Sequence, residues 1–186
     1  MLYMRELLKQ ILGKKITAMI AEVVISRNIR RIVRRAQRHT GGFSPESAVD
    51  LLYSKAAKDV TPWQHRSEIQ ELARMIAEKK PRTVLEIGTA SGGTLFLAAC
   101  LAADDALIVS IDLPDGLFGG GYPAWKRPLY QSFRRNQQRI ELIQGDSHDP
   151  EVFTELENIL EGRTIDYLFI DGDHSYEGVK QDFEDY

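Results

Sequence analysis

Cysteine is nearly missing: Cys100 stands alone in 186 residues. One thiol closes no internal disulfide and builds no thiolate metal cluster, so the fold rests on neither. That usage fits the reducing cytoplasm. Long apolar runs are missing too. In the N-terminal region the longest uncharged stretch runs from Ile16 to Ala21, far short of the roughly 20 apolar residues that cross a bilayer. A secretory signal fits poorly, because Lys14 and Lys15 interrupt the apolar region and no small-residue cleavage site follows cleanly. Compositional bias is also absent. At 43% hydrophobic and 27% charged, usage is ordinary, which excludes disordered, collagenous and low-complexity classes. The length suits one full domain and not two.

Charge is present in nearly equal amounts but unevenly placed. The net value of −3 hides a split at about residue 39. Before it stand ten Lys/Arg and two acids, a net of +8; after it stand 14 basic and 25 acidic residues, a net of −11. This is a basic arm on an acidic domain. In the arm, Leu8, Ile11, Leu12, Ile16, Met19, Ile20 and Val23 recur at gaps of three and four, one face of an α-helix. Basic residues crowd its far end, from Arg27 to Arg38. Three uses are open to such a helix. It can pack on its own domain or on a second copy. It can lie on an anionic membrane surface. Nucleic-acid binding is the least favoured, since the segment lacks interleaved aromatics and the rest of the chain is acidic.

Thr40-Gly41-Gly42-Phe43-Ser44-Pro45 reads as a linker, with Ser44-Pro45 as N-cap and first helical position. A helix is expected from about Pro45 to Lys58, and another from Thr61-Pro62 until Pro81 stops it. From Arg82 strands and helices alternate. Strands are expected at 83–88, 106–112, 140–144 and 165–171, and helices at 94–103, 129–138 and 150–160. Strict alternation predicts an α/β fold, a parallel sheet covered by helices on both faces. Such sheets bind ligands at the carboxyl ends of their strands.

Polar residues gather there. The first strand ends in Glu86-Ile87-Gly88-Thr89-Ala90-Ser91-Gly92-Gly93, a turn whose glycines let backbone approach a ligand or simply let helix pack on strand. A dinucleotide fingerprint wants glycine at 90, where alanine stands, which weakens a nicotinamide reading. Asp112 ends the second strand, about where an acid can accept hydrogen bonds from ribose hydroxyls. Gly145-Asp146-Ser147-His148 follows the third, and Asp171-Gly172-Asp173-His174-Ser175 the fourth; Asp173 or Ser175 can be a helix cap.

In VLEIGTASGGT at 84–94, IVSIDLP at 108–114, IELIQGDSHD at 140–149 and IDYLFIDGDHSYEGVKQDF at 165–183, the chain resembles the class I S-adenosylmethionine-dependent methyltransferases. The resemblance covers about residues 60–186. It is similar to small O-methyltransferases of the catechol and caffeoyl-CoA type, while the loop DGLFGGGYPAWKRPLY at 115–130 resembles the cephalosporin-hydroxylase-like group. The resemblance implies a Rossmann-like sheet and S-adenosyl-L-methionine as cofactor, with Mg²⁺ as a second group. It implies that the turn through Glu86, Gly88, Thr89, Ser91 and Gly92 holds the methionine part, that Asp112 holds the ribose, and that Asp146 and Ser147 flank the adenine. Asp171 maps to a metal-binding acid. Where metal-dependent relatives place a lysine base, this chain has His174, whose neutral imidazole can accept a hydroxyl proton; ligand binding or helix capping are its other roles. The implied reaction is in-line methyl transfer to a hydroxyl oxygen of a small molecule.

Three parts are thus expected: a basic amphipathic helical arm at 1–40, a linker and helix at 41–60, and the cofactor domain at 61–186 with strands one to four. The family sheet has seven strands, so the sequence is expected to be a truncated piece of a longer enzyme, in preference to one that has lost that half, and this chain by itself is expected to bind cofactor weakly and turn over little or nothing. A non-catalytic module docking through its arm and a nicotinamide-dependent oxidoreductase are the alternatives.

Overall fold

The computed structural model describes residues 2–39, 42–114 and 121–186, and of residues 2–11 only the helical backbone. The expected linker residues 40 and 41, the side chains of Leu8 and Ile11, and positions 115–120 of the glycine-rich loop lie outside the described residues.

Among the described residues, four strands form one parallel sheet: β1 (Thr83–Ile87), β2 (Leu107–Asp112), β3 (Arg139–Gln144) and β4 (Tyr167–Ile170), in the order β3-β2-β1-β4. The described residues also form seven α-helices: α1 (Leu2–Gln37), α2 (Pro45–Leu52), α3 (Arg66–Lys79), α4 (Gly93–Leu101), α5 (Arg127–Gln131), α6 (Pro150–Leu160) and α7 (Tyr176–Asp185). The two central strands are buried along their whole length, which is why their sequences are near-continuous apolar runs. Successive side chains point to opposite faces. Val84, Ile108, Ile140 and Leu142 join one cluster with α1 to α5, and Leu85, Leu107, Val109, Ile111 and Ile143 join another with α6. The expected α/β, Rossmann-like sheet with helices on both faces is the one found.

Register sets the site. Ile87 pairs with Ile111 on one side and with Ile170 on the other, so three strands end level. The ladder runs one residue further: Gly88 N–H donates to Ile111 O at 2.8 Å and Asp171 N–H to Ile87 O at 2.8 Å. Gly88, Asp112 and Asp171 therefore stand side by side on the carboxyl edge.

Several helix boundaries differ from the sequence reading, each for a local reason. The helix from Pro45 stops at Leu52, where the Ser54 hydroxyl donates to Leu51 O at 2.7 Å, and a short 3-10 turn at Lys55–Ala57 follows. Residues 61–65 are not helical. The Thr61 hydroxyl donates to Ala57 O at 3.0 Å and the Tyr53 hydroxyl to Gln64 O at 2.9 Å. These bonds hold the segment in an irregular path, and α3 starts only after His65, whose N–H donates to Glu68 Oε2 at 2.8 Å. The helix expected over 129–138 ends at Gln131. There the Ser132 hydroxyl bonds Leu129 O, and Asn136 takes a left-handed φ of 49° while its amide donates to Asp104 Oδ1 at 2.6 Å.

The arm is one long helix, and its second half is built into the fold. Ile29, Ile32, Val33 and Ala36 are buried in the same cluster as α2, α3 and α4. Ahead of them along the helix, Leu12, Ile16, Met19, Ile20 and Val23 are exposed. Among the described residues, no helix is long and apolar enough to cross a membrane.

Candidate functional site

A cavity of about 300 Å³ opens at the carboxyl edge of the sheet. Its walls include Gly88, Thr89, Ala90 and Ser91 from the turn after β1, Asp112 from β2, and Asp171 and His174 from the loop after β4. Pro62, Trp63 and Gln64 close another side.

The turn is shaped by close approach. Gly88 has φ 95°, and a Cβ there would lie 2.3 Å from Asp171 O, so only glycine lets β1 and β4 end this close together. Gly92 has φ 82°, and a Cβ would meet the Tyr130 ring at 2.9 Å. Between them Ala90 takes φ 43°, a left-handed conformation that costs a non-glycine residue about 1–2 kcal/mol. Bonds at both ends hold it there. Its N–H donates to Asp112 Oδ2 at 3.2 Å, and its carbonyl accepts from the Tyr130 hydroxyl at 3.1 Å. The position that a dinucleotide fingerprint gives to glycine is thus glycine-like in backbone and carries a methyl group.

Asp112 is the organising carboxylate. It is buried, and its second oxygen accepts Gly121 N–H at 3.1 Å. Burial raises its pKa, and the backbone donors at Gly121 and Ala90 oppose that shift. The backbone N–H groups of Thr89 and Leu113 also act on this carboxylate and lower its pKa. Asp171 is half-buried. Gln64 Nε2 donates to Oδ2, and His174 Nε2 stands 3.6 Å from Oδ1. Burial raises the Asp171 pKa, opposed by the neighbouring His174 and by the Gln64 bond.

Beneath the turn lies a chain of polar groups. Glu86 is buried in mid-strand and accepts the Thr94 and Ser110 hydroxyls, while the Ser110 and Thr89 hydroxyls pair at 2.6 Å. Desolvation pushes the Glu86 carboxyl up to about 7 against the pull of its two hydroxyl donors.

Of the residues singled out from sequence, Gly88, Thr89, Ser91, Asp112, Asp171 and His174 meet around the cavity. Glu86 and Gly92 support it from outside its walls, against Thr94 and Tyr130 respectively. Asp146 and Ser147 are not among its lining residues. Asp146 accepts His148 N–H at 3.0 Å within its own loop, and the Ser147 hydroxyl donates to buried Asp182 on α7 at 2.7 Å. The Ser91 hydroxyl ties the turn to Thr61 O at 3.3 Å. Trp63, Gln64 and Tyr130 were not found from sequence. Their roles come from contacts across the chain, and the exposure of Trp63, at 76%, has no periodic signal. Among the described residues, no group of three His, Cys, Asp or Glu side chains converges to hold a metal. Asp171 is one carboxylate, and an octahedral Mg²⁺ site takes further oxygen ligands and waters beside it.

A family model described as a methyltransferase domain matches residues 85–186, more than half of the chain. The chain belongs to this methyltransferase family. The matched span starts in β1 and includes Asp112, Asp171, His174 and the whole glycine turn. Two curated proteins are similar to the chain. An uncharacterized protein of Acanthamoeba polyphaga mimivirus, R132, is 33% identical over 109 residues, 59% of this chain and 47% of that protein. The ribosomal RNA large subunit methyltransferase E of Acinetobacter baylyi is 32% identical over 110 residues, 56% of this chain and 39% of that protein. The chain thus spans less than half the length of these relatives. The family's usual cofactor is S-adenosylmethionine. The turn after β1, the Asp112 carboxylate, and Pro62 and Trp63 are the groups around the cavity that such a cofactor would meet.

Proposed function

We propose that the chain forms the cofactor-binding face of an S-adenosylmethionine-dependent methyltransferase acting on a hydroxyl oxygen of a small molecule. What carries the reading is the meeting of the Gly88–Ser91 turn, Asp112, Asp171 and His174 around one cavity. In this reading residues 61–186 are the cofactor domain, residues 1–40 the arm and residues 41–60 the connection between them.

When bound, S-adenosylmethionine supplies a methyl group made electrophilic by a positively charged sulfur. Asp112, on the cavity wall at the end of β2, is the acceptor for the ribose hydroxyls. The turn presents its backbone to the methionine part. Trp63 and Pro62 keep water from the cavity mouth. His174 accepts the acceptor's hydroxyl proton as its oxygen attacks in line, and Asp171 stabilises the resulting imidazolium. Gln64 fixes the carboxylate for that task. The new bond joins oxygen to methyl carbon, and the electron pair of the broken bond stays on sulfur. Most of the rate gain in such a step comes from positioning. No step is assigned to Mg²⁺. Ribosomal RNA, named for the Acinetobacter relative, is the less favoured acceptor, because the chain after residue 39 is net acidic.

Calorimetric titration with S-adenosylhomocysteine and, separately, NAD⁺ tests the reading. S-adenosylhomocysteine is expected to bind. Asp112→Asn should weaken it by about tenfold, the loss of a charge-assisted hydrogen bond. His174→Ala should change it less than twofold, because that residue faces the acceptor. Preference for NAD⁺, or no binding of either by folded protein, would overturn the proposal.

A further inference from the structure

The outward face of α1 carries two patterns that run into each other. Leu12, Ile16, Met19, Ile20 and Val23 form an exposed apolar stripe. Continued at the same gaps of three and four, the stripe passes directly into Arg27, Arg30, Arg31, Arg34 and Arg38, all exposed. Residues so spaced share one helix face. The buried residues of this helix, Ile29, Ile32, Val33 and Ala36, fall on the opposite side, against the domain. The outer face is therefore one strip about 40 Å long at 1.5 Å per residue, apolar in its first half and cationic in its second. A groove of about 960 Å³ follows the arginine row. Among the described residues, none of these five arginines is held in an ion pair.

We infer that this face docks the protein on an anionic lipid bilayer, with the apolar half inserted at the headgroup boundary and the arginine half on lipid phosphates. Both halves then have a function. A helix lying in the interface needs an apolar strip beside a basic one, and not the length of a membrane span. Charge separation orients the molecule: the arm carries +8 and the remainder −11, so an anionic surface attracts the helix and repels the body. The buried side of α1 keeps that body away from the bilayer. Other occupants use half of the strip. RNA would engage the arginines and leave five large apolar side chains in water. Parallel pairing of two copies along the apolar stripe would, at the next turns, set Arg30 against Arg30.

Cosedimentation of the whole chain with liposomes tests this, using phosphatidylcholine alone and a mixture with phosphatidylserine. Binding to the mixed vesicles is expected, with phosphatidylcholine alone binding at least tenfold more weakly and 0.3 M salt reducing the difference. Arg30→Gln and Arg34→Gln should each weaken binding by about fivefold. Ile16→Asp with Val23→Asp should remove it. These positions are solvent-exposed, so circular dichroism should be unchanged. Arg82→Gln, on a paired arginine away from the arm, should have no effect. The inference fails if folded protein ignores mixed vesicles. It also fails if binding survives the two aspartates while polyuridine competes for the arginines, or if sedimentation velocity shows a dimer that those aspartates dissociate and that does not bind lipid.

Discussion

Glu86 shows how a single residue can link a binding site to the pH dependence of its scaffold. A carboxylate at the centre of a buried parallel strand is costly unless it is hydrogen-bonded. Thr94, at the start of α4, and Ser110, on the neighbouring strand, supply the donors, so the acid ties strand, helix and turn together under the cavity. Burial still dominates, and the negative charges of Asp112 and Asp171 add to it, leaving the pKa at about 7 against an ordinary 4.5. The folded state therefore binds more protons than the unfolded state across this window, and stability falls as pH rises through it. The loss is on the order of 3 kcal/mol by pH 8. Glu86→Gln removes the titrating group. Denaturant melts at pH 5 and pH 8 should show a smaller fall for the variant, with the curves crossing so that the variant is the more stable at pH 8. Parallel pH profiles for the two proteins would place the carboxylate in an ordinary environment.

At the scale of elements, α7 positions His174 through its cap. Ser175 is the N-cap, and its hydroxyl accepts Gly178 N–H at 3.1 Å; Asp173 accepts Ser175 N–H at 2.7 Å. His174 lies between these two capping residues, so its backbone is held from both sides. Ser175→Ala should cost about 1 kcal/mol, seen as a lower denaturation midpoint and faster hydrogen exchange at the Gly178 amide. An unchanged Gly178 exchange rate would mean the cap carries no weight. This cap was legible in the sequence, as were all four strands and the Gly88, Asp112 and Asp171 edge. Strands buried on both faces read as apolar runs with sharp polar ends, and parallel alternation puts those ends together. What was not legible came from long-range contacts. The helix expected at Thr61 gave way to an irregular wall because Tyr53 and Ala57 hold it, and Gln64 reaches Asp171 across 107 positions of sequence. No periodicity records such a bond. Ser147 was legible as a polar strand-end residue but not as a partner of Asp182, because that bond depends on how α7 returns across the sheet.

For the molecule as a whole, the question is where the arm ends and the domain begins. Charge draws the line at about residue 39, but packing draws it earlier. Arg27 to Arg38 belong to the cationic arm by composition, yet Ile29, Ile32, Val33 and Ala36 between them are buried with α2, α3 and α4. The same turns of helix thus serve two neighbours, apolar residues inward and arginines outward. The alternation could not be seen in net charge, and in the hydrophobic pattern the larger stripe at 12–23 masked it, because both stripes have helical spacing and differ only in direction. Two substitutions of one residue type separate the halves. Ile32 is fully buried, and Ile32→Ala should cost about 2–4 kcal/mol, the lost transfer energy plus the cavity left behind. Ile16 is 46% exposed, and Ile16→Ala should stay within about 0.5 kcal/mol. Urea melts followed by tryptophan fluorescence read both, since Trp63 and Trp125 lie in the domain and not in the arm. A shift for Ile32→Ala alone makes the second half of α1 part of the cooperative unit, a rigid base for the outward arginines. No shift for either would mean that the arm frays from the domain as a whole, and its arginine face would then have no fixed direction relative to the cavity at the sheet edge.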